Sequence, residues 1–403
     1  MPEAVIVSTA RSPIGRAVKG SLKDLRPDDL LAQITRAALA QVPALDPATV
    51  EDIYVGAADN SGQHGNNIAR MIAVMLGLEA VPGASVNRFC ASSVQTQRMA
   101  FHAIRAGEGD VFIAAGVECV SRYMGLVDGE QAVNPIFDQA RERTAATAAS
   151  NATWTDPRAQ GRLPDAYIAM GQTAENVATL RGISRREQDQ WAVESQNRAE
   201  KAIADGFFAR EITPVTLPDG TVISTDDGPR PGTTLAKLET LKPVFREAGT
   251  ITAGNACPLN DGAAALVIMS DTRAQELGLT PLARIVATAA SALSPEIMGL
   301  GPVEATRRVL ARAGMSISDI DLFEINEAFA AQVLPSAQDL GIDLDTLNVH
   351  GGAIALGHPF GMTGARIATT LLNGLRSRDL QYGLETMCIA GGQGMAIIYE
   401  RLS

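Results

Sequence analysis

Short apolar runs bounded by glycine or polar residues recur along the chain, and they recur in pairs. AVIVSTARSP (4–13) is echoed by ARIVATAASALSP (283–295), and VEDIYVGAA (50–58) by ISDIDLFEINEA (317–328). GDVFIAAGVE (109–118) resembles LETMCIAGGQ (384–393), and AAALVIMS (263–270) matches MAIIYERL (395–402). Runs of this length, rich in Val, Ile and Ala, read as buried strands. Helical patterns alternate with them, which predicts α/β layers. The pairing itself predicts a duplicated plan with a pseudo-twofold axis.

The last pair of runs locates an insertion. CIAGGQG leads directly into MAIIYERL, whereas AAGVE is separated from AAALVIMS by a long intervening segment, placed between about 119 and 249. That segment carries Pro135, Pro157 and Pro164 and then a polar helical stretch, SRREQDQWAVESQNRAEKAIADGFF (184–208). Trp191, Ser195, Arg198, Ala199 and Ala202 follow helical spacing there, the mark of a packed surface helix. The expected organisation is an N-terminal half of 1–118 plus 249–272, an inserted domain of 119–248 and a C-terminal half of 273–403.

Composition removes several function classes. At 403 residues the chain has room for more than one core. Its net charge of −11 argues against nucleic-acid binding, because phosphate neutralisation needs a basic surface. The four cysteines, Cys90, Cys119, Cys257 and Cys388, are scattered without a C-x-x-C pair, so spacing suggests neither zinc nor a disulfide framework. No run reaches the roughly 18 apolar residues of a membrane span. MPEAVIVSTA lacks the pattern of a signal peptide, which makes the cytoplasm the default.

Candidate chemistry gathers at four places. VNRFCASSVQTQRMAFHAIRAG (86–107) reads as strand, turn and a helix ended by Gly107, with Cys90 at the helix start. Helix-start N–H groups there favour a thiolate and can hold an oxyanion. A buried inert thiol is the alternative. Asn326 follows the apolar run DIDLFEI, where an amide positions a water or carbonyl, or makes a structural turn bond. His358 sits in HGGAIALGHPFGMTGAR, whose spacing fits neither a phosphate-binding G-x-x-x-x-G-K-[ST] nor a dinucleotide G-x-G-x-x-G. No carboxylate or cysteine lies nearby to complete a metal site. A base aimed from a rigid turn fits better. Cys388 stands near the end of a strand before glycines that permit close backbone approach. The duplication would bring these strand ends together, and a nucleophilic Cys, a His base and a second Cys suit acyl transfer with proton transfer. His102, inside the Cys90 helix, is expected to be a packed core residue.

NRFCASS, SQNRAEKAIADGFFAREITPV, TAGNACPLNDGAAA, NEAFA, NVHGGAIALGHPFGMTGAR and CIAGGQG, in this order, resemble the thiolase family over essentially the full length. The resemblance implies two βαβαβαββ halves in a five-layered αβαβα core with an inserted loop domain. It implies thiolytic cleavage of 3-oxoacyl-CoA by a ping-pong route, with coenzyme A as co-substrate and no metal or permanently bound cofactor. Cys90 would be the acylated nucleophile, His358 the base for Cys90 and CoA, and Cys388 the acid that protonates the departing enolate. Asn326, through a water, and His358 would hold the enolate oxygen. The backbone N–H groups of Cys90 and Ala390 would hold the tetrahedral oxyanion.

This sequence also departs from the family's pattern. Ala390 stands where Gly is usual, which is acceptable unless positive φ is required. His350 stands where Asn is frequent and is expected to support the site from behind. Cys257 replaces a common Ser beside the pantetheine arm and is expected to form pocket wall. Ala169, followed by Met170 in AYIAMGQTAENVA, replaces the pocket His of short-chain biosynthetic thiolases, which favours a degradative enzyme for longer or bulkier acyl groups. Arg230 is the candidate for the nucleotide end of CoA, with a surface salt bridge as its alternative. The resemblance places SGQHGNNIAR (61–70), with His64 and Arg70, at a dimer interface and implies a homodimer or homotetramer. The alternatives are a biosynthetic acetoacetyl-CoA thiolase, a ketoacyl synthase (disfavoured by Cys388) and a non-catalytic lipid-carrier or scaffold homologue.

Overall fold

Each predicted pair of apolar runs forms a pair of strands in equivalent positions. The computed structural model describes residues 1–123 and 133–403. The first half comprises β1 (Ala4–Arg11), a short β2 (Gly15–Arg16), α1 (Pro27–Ala40), β3 (Asp52–Gly56), α2 (Ile68–Met75), β4 (Gly83–Val86), α3 (Ser92–Ala106) and β5 (Val111–Cys119). The chain then leaves the sheet through α4 (Asp138–Ser150), α5 (Met170–Arg181), α6 (Arg185–Ala204), β6 (Val215–Thr216), β7 (Val222–Ile223) and α7 (Leu235–Glu239), and returns as β8 (Asn260–Ser270). After α8 (Asp271–Glu276) the second half runs β9 (Ala283–Ala292), α9 (Gly301–Ala313), β10 (Leu322–Ile325), α10 (Ala330–Leu340), α11 (Ala353–Leu356), α12 (Thr363–Ser377), β11 (Tyr382–Ile389) and β12 (Gln393–Arg401).

The strand order is β10-β11-β12-β9-β1-β8-β5-β3-β4. From the centre outward the two sides match. β9-β12-β11-β10 repeats β1-β8-β5-β3, with the same antiparallel, antiparallel, parallel succession. The seam between the halves is only Val5↔Arg284 and Ile6↔Ala283. The repeat is imperfect at one edge. Where the first half has β4, the second has a single parallel bridge, Phe323↔Leu347.

Burial explains the layering. β5 and β8 are buried at every residue, as strands covered on both faces must be. One apolar cluster packs α1 and α2 on the outside of the first half, and another packs α9 and α10 on the outside of the second. A third, with Val94, Ala100, Ile367 and Leu371, fills the space around α3 and α12 between the two half-sheets. This gives five layers, αβαβα. α12 is buried through its first ten residues, as expected of a helix sandwiched in the middle.

The intervening segment is tied down by polar contacts as well. α6 starts at a Ser184/Glu187 capping box and buries Trp191, Ser195, Ala199 and Ala202, as its spacing predicts. Arg11 of β1, wholly buried, reaches Glu211 at 2.7 Å and Asp226 at 2.8 Å. Removing Arg11 would leave two buried carboxylates without their shared counter-charge, a loss of about 3–5 kcal/mol.

Candidate active site

Cys90 lies in a tight helical turn, Phe89–Ala91, immediately before α3. Phe89 is held at φ +45°, a left-handed conformation that is rare for an aromatic residue. Its N–H donates to Asn87 Oδ1 at 2.8 Å, and its carbonyl accepts the Ser92 hydroxyl at 2.6 Å. These bonds hold the strained turn. The backbone N–H of Ala390 and that of Cys90 itself both act to lower the Cys90 thiol. The two amides expected to form an oxyanion site therefore lie beside that thiol. One expectation needs correction. Cys90 is not a ready thiolate, because burial outweighs these N–H groups and pushes its thiol up to about 11. It needs a base.

His358 supplies a poised one. Its ring is buried, and burial together with the Arg366 charge lowers it to about 3, so it is neutral at physiological pH. Nδ1 lies 2.6 Å from the Thr363 hydroxyl, which donates its own hydrogen to Pro359 O at 2.7 Å. Thr363 Oγ1 then accepts Nδ1–H, and the lone pair is left on Nε2. The Asn326 amide approaches Nε2 at 3.3 Å. Asn326 follows β10, and its N–H is fixed by Thr386 O at 3.1 Å. Its Oδ1 is buried without a protein partner, so an acceptor is left over for a substrate group or a water.

Cys388, the penultimate residue of β11, is fully buried. Burial raises its thiol far above the ordinary range, and negative charge on Cys90 or Cys257 would raise it further. It packs with Ile251, Met298, Ala328 and Phe329, flanked by Met170 and Ala256. A charge on Cys90 would raise the buried Cys257 thiol in the same way, so the three thiols lie close enough to influence one another. Positive φ falls on Gly391 and Gly392 and not on Ala390, so Ala in that place is accommodated. Cys90 and Cys388 are thus held protonated and His358 neutral, with the Cys90 and Ala390 amides beside the Cys90 thiol.

Two family models cover nearly all of the chain: Thiolase, N-terminal domain, over residues 4–272, and Thiolase, C-terminal domain, over residues 279–401. The chain belongs to the thiolase family. It is 46% identical over 409 residues, spanning 100% of both chains, to the 3-oxoadipyl-CoA/3-oxo-5,6-dehydrosuberyl-CoA thiolase of Escherichia coli (strain K12). Among solved structures, the Bacillus anthracis acetyl-CoA acetyltransferase matches with a TM-score of 0.88 and 37% identity, over 100% of this chain and 99% of that one. Human mitochondrial 3-ketoacyl-CoA thiolase in complex with CoA matches with a TM-score of 0.87 and 35% identity, over 99% and 98%. This thiolase is an acyltransferase enzyme.

Four polar residues of the thiolase site were not singled out from its sequence. Thr363, five residues after His358, fixes the tautomer. Asn260 accepts the His358 N–H at 3.0 Å and donates to Gly15 O at 2.9 Å. A side chain at Gly357, where φ is +111°, would strike that amide. Glu118, at the end of β5, accepts the N–H groups of Ala58 and Gly361, each at 2.8 Å, and so clamps the His358 loop to the first half. Burial pushes its carboxyl up to about 7. Glu327 accepts Trp191, Ser195, Asn348 and the Ile354 N–H, which joins the Asn326 turn to α6 and α11. The sequence signal was a carboxylate inside an apolar strand or directly after one, where only a buried partner set keeps it.

Other sequence-predicted residues lie elsewhere or in other company. His350 is not seen against His358. Its ring stacks on Phe207 at 3.7 Å and lines a surface cleft with Arg210 and Arg378. His64 is buried inside the chain and accepts the Cys119 N–H at 2.9 Å, and Arg70 donates to the carbonyls of Glu79 and Val81. Both make ties within the chain, while Ser61, Gly62, Asn66 and Asn67 of the same segment are exposed. His102 is exposed and not a core residue. Met170 starts α5 beside the thiol pocket, and Ala169, its N-cap, is exposed. Arg230 is exposed, and no ion pair is formed by it among the described residues. Its guanidinium lies near Arg16, which with burial lowers it. The surface salt-bridge alternative is not what is found. Among the described residues no helix is long and apolar enough to cross a membrane, and no group of three or more His, Cys, Asp or Glu could hold a metal ion.

Proposed function

We propose that this enzyme cleaves 3-oxoacyl-CoA thiolytically in a degradative pathway of the β-oxidation type. The observation that carries the reading is that the Cys90 and Ala390 amides both favour charge on the buried Cys90 thiol, close enough to Cys388 for that charge to be felt there. His358 Nε2 takes the Cys90 proton, and the thiolate attacks the 3-keto carbon. The two amides hold the resulting oxyanion. The C2–C3 bond breaks, and the acetyl-CoA enolate, its oxygen held by His358 Nε2–H and the Asn326 amide through a water, takes the Cys388 proton at C2. The shortened acyl group stays on Cys90, and the proton on His358 returns to Cys388. Free CoA then gives its thiol proton to His358 and attacks the acyl-sulfur carbonyl, and Cys90 leaves with that proton.

Burial sets each group to its task. Cys388, held protonated, is an acid, and His358, held neutral, is a base. Ala169 and Met170 leave the acyl wall apolar, and the 46% identity to a 3-oxoadipyl-CoA thiolase favours an acyl group longer than acetyl. Cys257 contributes wall. A biosynthetic acetoacetyl-CoA thiolase is the second reading, favoured by the likeness to an acetyl-CoA acetyltransferase structure. The test is intact-protein mass after mixing with a panel of 3-oxoacyl-CoAs. A gain equal to the acyl group shortened by two carbons, discharged by CoA, supports thiolysis. Loading from acetoacetyl-CoA alone would favour the second reading.

The organisation that accompanies this reading is a half of 1–118 plus 249–272, a loop domain of 119–248 and a half of 273–403. We further propose a cytoplasmic homo-oligomer. β4 ends the sheet, and Met71, Val74, Met75 and Phe89 leave apolar surface exposed nearby.

The assigned roles make three predictions. Arg230→Ala is expected to raise KM for CoA about fivefold with kcat little changed, the scale of one exposed ion pair. Equal KM values in steady-state assays would remove Arg230 from the CoA site. Thr363→Val takes away the acceptor that keeps the proton on Nδ1, and kcat should fall roughly 10²-fold, within the range for a misplaced general base. In the unmodified enzyme, His358 near 3 stays deprotonated across the neutral range. kcat/KM should therefore not decline as pH falls from 8 to about 5. A break in the pH profile near the ordinary imidazole range would overturn this assignment.

A further inference from the structure

Glu296 is an almost fully buried carboxylate that the thiolase chemistry does not use. It lies in the short helical segment Pro295–Leu300, two residues before Met298. Met298 packs in the cluster around Cys388. Glu296 faces away from that cluster, into the insert. Its Oε1 accepts Arg143 at 2.9 Å and the Asp165 N–H at 2.8 Å, and its Oε2 accepts the Trp154 indole at 2.6 Å. Its backbone carbonyl accepts the Asn176 amide of α5 at 2.9 Å. A buried carboxylate persists only when its lone pairs are met, and here every donor to the side chain comes from the insert.

Apolar packing cannot do the same work. α4, which carries Arg143, buries a single residue, Ala140. What holds it is polar: Arg143 to Glu296 and to Leu163 O at 2.8 Å, and Thr144 to Asp165 at 2.7 Å. Asp165 stands just before Ala169 and Met170. One carboxylate thus binds three separated points of the insert, at 143, 154 and 165, to the segment that bears Met298.

We propose that Glu296 is a positioning residue that fixes the acyl-pocket wall. By gathering Arg143, Trp154 and the Asp165 amide it sets the spacing between Met170 and Met298 beside Cys388, and so selects acyl chain length. This deepens the thiolysis reading and rests on it. With Glu296→Ala the wall loosens, and longer acyl chains gain relative to the preferred one. The ratio of kcat/KM between the preferred 3-oxoacyl-CoA and one four carbons longer should shift about tenfold or more toward the longer. KM for CoA should change less than about twofold.

A role in stability alone would lower all substrates together with the melting temperature. Arg143→Ala and Trp154→Phe each remove one donor from a partly exposed position and should move the ratio the same way by a smaller factor. They keep the test open if Glu296→Ala does not fold. Glu296→Gln, whose one carbonyl oxygen still accepts from Arg143 and Asp165 but leaves Trp154 without an acceptor, should restore the selectivity in part. Acyl loading by the unmodified enzyme together with an unchanged chain-length profile in the folded variants would overturn this proposal alone. No loading by the unmodified enzyme would overturn the thiolysis reading and this proposal with it.

Discussion

Cys90→Ala is expected to leave a folded thiolase that gains no acyl mass from any 3-oxoacyl-CoA and has lost at least about 10⁴-fold in thiolysis. The size of the loss follows from the turn. Only Cys90 sits where two backbone amides lie beside its thiol. Cys257 and Cys388 are each met by only one backbone amide, their own, and burial raises both beyond Cys90, so neither is poised to replace it. Losing one buried sulfur should cost about 1 kcal/mol, a shift of a few degrees in melting temperature. Intact mass with and without CoA, beside a thermal melt, separates chemistry from folding. An acyl adduct in the variant would show that a different side chain is the nucleophile.

Much of this was legible in the chain, and the parts that were not share a cause. The paired runs gave the strands because a strand covered on both faces must be apolar throughout, which no surface segment imitates. Cys90, His358, Asn326 and Cys388 were readable as residues placed on turns at strand ends. Their charge states were not. A helix start suggests a thiolate, but the outcome depends on how dry the site is, and Cys90 is buried in a cluster that includes Met362, Met387 and Ile389 from distant parts of the sequence. His350 and His358 stand eight residues apart on one glycine-rich stretch, yet one ring stacks on Phe207 and the other meets Asn326. Sequence distance says little about direction when glycines turn the chain between them. For His64 the sequence offers no partner at all, and only the fold supplies the Cys119 amide whose hydrogen it accepts. Glu118, Glu327 and Glu296 were passed over because a lone carboxylate usually marks a solvated face. Each is buried here by donors drawn from elements far away in the sequence.

Cys388→Ala should separate the two half-reactions that share Cys90. Carbon–carbon cleavage needs a proton delivered to C2 of the departing enolate, and Cys388 is the protonated thiol in the pocket best placed to give it. Without that proton the enolate has no stable way out, and cleavage should fall about 10³–10⁴-fold. Exchange of an acyl group between acyl-CoA and labelled CoA needs no proton at carbon. It uses only Cys90, the two amides and His358, all of which the substitution leaves in place, so exchange should fall less than about tenfold. Acetyl-CoA in deuterated water adds a second readout: the unmodified enzyme should exchange its C2 hydrogens and the variant should not. Burial makes the assignment specific, because a thiol raised this far is a reluctant nucleophile and a well-stocked acid. If cleavage and acyl exchange fell together, Cys388 would be acting on Cys90 itself and not on carbon.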